Sequence, residues 1–218
     1  MSLPGYLTTV EITGASVSMT AEAMTGSGAG PYQVTAAKRV FDASAALTFK
    51  DNGVTISSGD ILSIDYLLGK VTFTGSKVGP ITVDGAYLPR LTLAESRSAD
   101  LTLTADELDT TVFNSTGWRS SVQGLKQASG TVESLTLIIT DLDPGAGSRK
   151  LSDLFANGTR IVMSLIPGGS GDIYRFYASL FELGEGAAVE DLVNTSIPYV
   201  SQSVQAANGD WVSVSIGT

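Results

Sequence analysis

Neither cysteine nor histidine occurs anywhere in the 218 residues. That absence excludes disulfide bridges, thiolate and imidazole metal sites, Ser-His-Asp and Cys-His nucleophile systems, and a histidine charge switch near neutral pH. It also leaves the redox compartment unread. Charge is scarce, at 16% of residues against about 25% in ordinary globular domains. The scarcity is uneven: 13 Lys and Arg stand against 22 Asp and Glu, for a net charge of −9. A deficit of clustered cations argues against a protein that grips nucleic acid through its phosphates. The densest basic spots, Lys38-Arg39 and Arg149-Lys150, are adjacent pairs that suit a solvated edge or a partner contact. No apolar run approaches the ~18 residues of a membrane span. The start, Met1-Ser2-Leu3-Pro4-Gly5, lacks the basic residues and apolar stretch of a signal peptide. The expectation is a protein made and used without secretion.

What is present reads as β-structure. Hydrophobic residues make up 43% of the chain and glycines number 24, and apolar residues recur at period two in short runs between turn signals. The clearest block is 46–88, which predicts a meander of short antiparallel strands. Leu47 and Phe49 alternate with polar neighbours before the Asp51-Asn52-Gly53 turn, Ile64 and Tyr66 precede the turn at Gly69-Lys70, and Val71 and Phe73 follow it. After Gly79-Pro80, Ile81 and Val83 alternate with Thr82 and Asp84. Thr25–Pro31, rich in glycine, reads as a flexible loop or arm. This part, 1–89, is expected to be an N-terminal arm and β-module.

A second block, 90–218, follows Leu88-Pro89. Leu101 and Leu103 alternate with polar residues, as do Leu135, Leu137 and Ile139. A long polar stretch, 109–127, separates the two runs and reads as a loop too long for a hairpin turn. Residues 148–156 predict the one helix, with Ser148 as N-cap, Leu151, Leu154 and Phe155 at helical spacing, and Asn157-Gly158 as the stop. Runs at 161–166 and 173–183 predict a hairpin around Pro167–Gly171. Further strands are expected at 193–204, where Pro198 predicts a sheet edge or a bulge, and at 211–216.

No catalytic or metal-binding constellation stands out, and no cofactor is implied. Carboxylate neighbours exist at Asp106/Glu107/Asp109, Asp141/Asp143 and Glu190/Asp191; a chain with 22 acids gives such neighbours by chance. A calcium loop counted from Asp141 places Ser152 where the bidentate acid belongs, so that pattern fails. The Gly-rich stretches 26–30 and 168–171 lack the Gly-Lys-Ser/Thr ending of a phosphate loop. The informative stretch is Glu107 to Thr131, which sets Phe113, Trp118 and Leu125 among polar residues. Such a loop either covers its own core or binds a partner, and the adjacent Trp118-Arg119 pair consists of types enriched at interface hot spots.

Those residues carry a resemblance. Leu108-Asp109-x-Thr111-x-Phe113, then Gly117-Trp118-Arg119, then Gly124-Leu125-Lys126, then Ser129-Gly130-Thr131 resemble, in order, the major tail tube proteins of long-tailed bacteriophages. In the N-terminal block Tyr32-Gln33-Val34, Ala37-Lys38-Arg39-Val40-Phe41-Asp42, Ile64-Asp65-Tyr66 and Val83-Asp84-Gly85-x-Tyr87-Leu88-Pro89 are similar to one branch of that family. The chain departs from the pattern at Asn114, where glycine is usual, and in lacking a proline before Gly124-Leu125. The resemblance implies a mainly β fold: a tail-tube β-sandwich or partial barrel with one flanking α-helix, plus an extra N-terminal β-module. It implies a non-enzymatic virion protein that self-assembles into hexameric rings stacked as a hollow tube for genome ejection. Its other partners would be tape-measure, tail terminator and baseplate proteins. Phage DNA would pass without specific binding, and the protein would be made in the host bacterial cytoplasm. In such a tube Asp109, Thr111, Phe113, Trp118, Arg119, Leu125 and Lys126 would lie at the ring-to-ring contact.

Period two then assigns faces. Leu101, Leu103, Leu135 and Leu137 are expected towards the core, and Asp100, Thr102, Thr104, Ser134 and Thr136 towards the lumen. An acidic lumen would repel DNA, which carries about one negative charge per 1.7 Å. Residues 31–89 would decorate the outside, brace neighbours, or complete the sandwich. Two other classes stay open on composition: an Ig-like or carbohydrate-binding β-sandwich, and a β-rich hydrolase working through Asp/Glu pairs.

Overall fold

The computed structural model describes residues 2–4, 8–92, 96–109, 121–135, 151–167, 172–180, 184–187 and 193–217. The chain is mainly β. Its strands are β1 (Ser2–Pro4), β2 (Thr8–Thr13), β3 (Val17–Thr25), β4 (Tyr32–Val34), β5 (Thr48–Asp51), β6 (Val54–Thr55), β7 (Ile61–Asp65), β8 (Lys70–Phe73), β9 (Ile81–Tyr87) and β10 (Arg90–Thr92). They continue as β11 (Ser96–Asp100), β12 (Thr102–Asp109), β13 (Ser121–Leu135), β14 (Ile161–Pro167), β15 (Ile173–Leu180), β16 (Gly184–Ala187), β17 (Val193–Gln202), β18 (Val204–Gln205), β19 (Trp211–Val212) and β20 (Val214–Gly217). The one α-helix among the described residues is α1 (Leu151–Ala156).

An 11-stranded sheet runs β1-β11-β13-β17-β15-β14-β2-β10, with β12 on β13, β16 on β17 and β20 on β15. It curls around a core in which Val10 and Ile12 of β2 join Ala99 of β11, Val132, Phe176 and Tyr199. The helix flanks this core through Leu154, whereas Phe155 is 40% exposed. Its stop is the expected one: Gly158 takes φ +59, its N–H donates to the Phe155 carbonyl at 3.0 Å, and Thr159 N–H donates to the Leu154 carbonyl at 2.9 Å. Ser148, the expected N-cap, lies outside the described residues.

The second sheet has seven strands in the order β6-β5-β9-β3-β4-β8-β7. Both expected turns are present, at Asn52-Gly53 (φ +49 and +81) and at Gly69 (φ +63). The meander is not. The hairpins β5–β6 and β7–β8 are separated by β9, β3 and β4, because the apolar faces of β3 and β4 bring Met24, Tyr32 and Val34 into the same core. Phe73 lies 5.6 Å from the Tyr32 ring and 6.2 Å from the Phe49 ring at its centre. The 25–31 stretch is pinned as well: Phe73 N–H donates to the Ala29 carbonyl and Lys77 N–H to the Gly28 carbonyl, each at 2.8 Å.

The sheets apportion the chain differently from a cut at residue 89. β2 belongs to the large sheet, and the chain leaves it at Thr13 and returns at Arg90, the residue paired with Thr13. Gly14 N–H donates to the Pro89 carbonyl at 2.8 Å and closes the exit against the re-entry. The seven-stranded sheet is thus inserted between two neighbouring strands. It covers one face of the large sheet, with Val162, Tyr177, Ala206 and Val212 in its core. This explains the near-continuous burial of Ile161–Leu165: both faces of β14 are covered.

A charge is sealed in this seam. Arg175 is fully buried; its Nε donates to Ser164 Oγ at 3.1 Å and its Nη1 to the Leu67 carbonyl at 2.9 Å. Burial first, and then the neighbouring Arg90, hold the guanidinium pKa down to about 10.

Pro198 corrects another expectation. β17 is an interior strand, with β13 on one side and β15 and β16 on the other. β15 pairs with β17 from Tyr199 onward and β16 up to Ser196, so Pro198 falls at the junction, where its missing N–H leaves no ladder bond broken.

Candidate subunit interface

β11 and β12 lie in succession along one side of β13. Ala99 registers with Val132, and Thr102 to Asp109 register with Ser129 to Ser121. On its other side β13 pairs with β17 only between Ser129 and Leu135. Beyond Ser129, β12 and residues 121–128 run on as a two-stranded ribbon with no further strand on either side among the described residues. Every residue of β12 is exposed. Eight residues at about 3.3 Å each extend the ribbon about 26 Å. The stretch expected as a loop over 109–127 is therefore strand from Ser121 onward and at Asp109.

The ribbon root is held tightly. Tyr199, directly opposite Gly130, lays its ring on Phe176 (centroids 5.3 Å apart) and donates its hydroxyl to the Asp100 carbonyl at 2.6 Å. Burial, and then the nearby Asp100 charge, push the Tyr199 phenol pKa well above its ordinary range. Thr131 N–H donates to the Asp100 carboxylate at 3.1 Å, and Ala128 N–H to Ser201 Oγ at 2.9 Å. A side chain at Gly130 would overlap the Asp100 carbonyl and meet the Tyr199 hydroxyl.

Further out the ribbon has a bulge. Ala105 registers with Lys126 but Glu107 with Gln123, which leaves one extra residue on β13 at Gly124-Leu125. Bulges re-aim side chains, and Leu125 is 82% exposed. Near the tip Leu108 and Val122 face each other across the strands and are both about half exposed.

At the root a groove of about 720 Å³ separates the ribbon from β20 and is lined by Leu103, Lys126, Ala128, Ser201, Val214 and Ile216 among others. Among the described residues β20 pairs only with β15, and its Val214 and Ile216 line the groove. Val214 also lines an adjoining hollow with Trp211, which is 70% exposed. Trp211, Val214, Ile216 and Leu103 form an exposed apolar surface around these two hollows. Sequence reading missed it; the available signal was a tryptophan followed by Val214 and Ile216 on a serine-rich strand.

The expected site residues are distributed as follows. Asp109, Leu125 and Lys126 are exposed on the ribbon, as are Thr102 and Thr104. Asp100 is half-buried at the root. Leu101 packs on the core, but Leu103, expected to join it, is 55% exposed, because the ribbon has left the body by that position. Thr111, Phe113, Trp118, Arg119, Thr136 and Leu137 lie outside the described residues, as do the side chains of Ser134 and Leu135. Among the described residues no cluster of three or more Asp or Glu could hold a metal ion, and no helix is long and apolar enough to cross a membrane.

No family model matches the chain, and no curated protein matches it. Solved structures do. The fold is similar to a chain in the tail of an empty gene transfer agent particle, reconstructed with C6 symmetry, at TM-score 0.46 and 16% identity over 60% of this chain and 87% of that one. It is likewise similar to a chain in the virion of a native gene transfer agent particle, at TM-score 0.45 and 17% identity over 59% and 89%.

Proposed function

We propose that the chain is a structural tail-tube subunit of a phage-type particle. The observation that carries this reading is the ribbon, which among the described residues has no strand along either edge, exposes every residue of β12 and leaves Leu103, Leu108, Val122 and Leu125 exposed. An isolated two-stranded ribbon is marginal in water, and an open edge bearing apolar side chains is a template for pairing with another chain. Copies joining head to tail through such an element close into rings or continue as filaments, and a tube requires both. The order of motifs around Gly124-Leu125-Lys126 and Ser129-Gly130-Thr131, which fall at the bulge and the root, supports the same reading.

In this assembly hexameric rings stack with Asp109, Thr111, Phe113, Trp118, Arg119, Leu125 and Lys126 at the ring-to-ring contact. The ribbon strands and their continuations line the bore with Asp100, Thr102, Thr104, Ser134 and Thr136. The face that carries Asp100, Thr102 and Thr104 continues to Asp106, while Lys126, in register with Ala105, lies on the other face, so such a bore repels DNA and leaves it free to slide. The inserted module lies on the outside of the tube. Tape-measure, terminator and baseplate proteins cap and fill the tube, which belongs to the virion after synthesis in the host cytoplasm.

Negative-stain microscopy of the full chain across protein concentration tests this. Rings or tubes with a central hole are expected. A monodisperse monomer at every concentration, or glycan binding by a single copy, would overturn it.

A further inference from the structure

A polar row crosses the seam between the two sheets. Ser215 of β20 registers with Arg175 of β15, Arg175 with Ser164 of β14, and Ser164 with Glu11 of β2. Cross-strand partners share a face, and here it is the face under the inserted module, where Asp65 accepts from the Ser215 hydroxyl at 3.0 Å and the Leu67 carbonyl from Arg175 Nη1. Beyond Glu11 the row ends on Arg90. Its Nη1 donates to the Glu11 carboxylate at 2.9 Å and its Nη2 to the Ala36 carbonyl at 2.7 Å. Arg39 follows the short 3-10 turn Ala36–Lys38 and packs its backbone on Gly69, so closely that a Cβ there would come within 2.6 Å of the Arg39 carbonyl. Arg39, Arg90 and Arg175 thus meet around the two module turns 36–39 and 67–69.

Each of these arginines keeps a buried N–H with no acceptor among the described residues: Nε of Arg39, Nε of Arg90 and Nη2 of Arg175, the last on a side chain with no exposure at all. The neighbouring carboxylates are committed. Both Glu11 oxygens accept from Arg90 Nη1, and Asp65 Oδ1 accepts from the Leu67 and Leu68 N–H groups and the Ser215 hydroxyl. Burial apart, the charges that act on Arg175 are Arg90, Glu11, Arg39 and Asp65. Counting Arg175 itself, positive charge is in excess by one. A buried charge without a counter-charge is costly, and every unpaired group here is a cationic donor. A water molecule brings two lone pairs and no charge. We infer that the seam binds one small monovalent inorganic anion, a halide such as chloride, which accepts from Arg39, Arg90 and Arg175. Leu67 and Val162 beside the row are fully buried, and so close a site suits a monatomic ion better than an oxyanion. Arg90 and Arg175 belong to the large sheet and Arg39 to the module, so the ion ties one to the other. The inference stands apart from the tail-subunit reading.

The test dialyses the full chain into sodium gluconate, whose anion is too bulky for the seam, and follows urea unfolding by circular dichroism as chloride replaces gluconate at constant ionic strength. Stability is expected to rise with chloride, the unfolding constant falling about tenfold for each tenfold increase above the dissociation constant. Bromide should act in the same way. An ion held too tightly for dialysis is expected instead to appear on unfolding, as one chloride per chain by ion chromatography. Arg175→Met and, nearer the surface, Arg39→Gln should abolish the halide response while leaving the β-sheet spectrum intact. A wild-type chain that neither responds to halide nor releases it would overturn the inference and assign the three N–H groups to water. A halide response that persists in both variants would overturn it as well. Neither result bears on whether the chain assembles into tubes.

Discussion

Gly130→Ala probes the ribbon root directly. The added methyl would overlap the Asp100 carbonyl, which belongs to backbone and cannot swing aside, and would come within 2.6 Å of the Tyr199 hydroxyl. Forcing a methyl into a filled site costs about 1–3 kcal/mol. Moving Asp100 away also strains the Tyr199 hydroxyl bond, worth about 1 kcal/mol, and the bond from Thr131 N–H to the carboxylate, worth about 1.5–3 kcal/mol. Partial loss of both brings the total to about 3–5 kcal/mol, a fall in Tm of roughly 10 °C for a chain of this size. Urea unfolding followed by circular dichroism reads the change. Tyr199→Phe serves as the partner measurement. It should cost about 1–2 kcal/mol alone, and the double variant should cost less than the sum, because the missing hydroxyl relieves one of the two collisions. A Gly130→Ala change within about 0.5 kcal/mol of zero, the range of an ordinary surface substitution, would refute the close approach at the root.

Two further substitutions test the seam between the sheets. Arg175→Met keeps most of the volume and removes a buried charge, so its cost should stay within about 2 kcal/mol; Arg175→Ala leaves a cavity and two unpaired acceptors and should cost about 3–5 kcal/mol. Equal costs would show that bonding, not packing, dominates there. Burial pushes the Tyr177 phenol from its ordinary value of 10.0 up to about 12. The raised value belongs to the folded state, so this contribution is complete below pH 10 and is lost as pH rises from 10 towards 12; the displacement corresponds to about 3 kcal/mol. Tyr177→Phe should therefore make the alkaline loss of stability shallower. Arg175 acts with the opposite sign. Its folded value is lowered, so its penalty is complete below about pH 10 and fades above it, and Arg175→Met should make the alkaline loss steeper. Unfolding midpoints between pH 9 and 12 check both slopes.

Much of the architecture was legible because it is local. The turn at Asn52-Gly53, the helix stop at Asn157-Gly158 and the 161–180 hairpin each follow from residue types at fixed spacing. The errors have one physical source: period two says which side chains share a face, and says nothing of what that face meets. Leu103 shares a period with Leu101, yet one reaches the core and the other lies past the end of the body. Pro198 reads as an edge or a bulge because a proline breaks one ladder, but a strand that changes partner midway has a position with no ladder to break. The meander failed because strands from residues 17–34 enter between the hairpins, a pairing over long sequence separation. The Ser129-Gly130-Thr131 motif was read as a pattern; its reason, the Asp100 carbonyl over a bare backbone, needed three strands in place.

The sheet edges make the strongest case that the ribbon is an assembly element. Soluble proteins blunt their edges by keeping them short, kinked or charged, and most of this chain follows that practice. Strands β1 and β10 at the ends of the large sheet are three residues each, β6 is two, and β7, at the other end of the module sheet, has an irregular register at Ile61/Ser63. Against that background the eight residues of β12 and the free stretch of β13 stand apart. They are long, two-sided and apolar at intervals, and their root is fixed by Tyr199, Thr131 and Ser201. Among the described residues the end strands of both sheets are short or irregular, and the stiffened base of this ribbon fits the pairing role proposed above. On the proposed tail-subunit reading the pairing partner is another copy of the same chain.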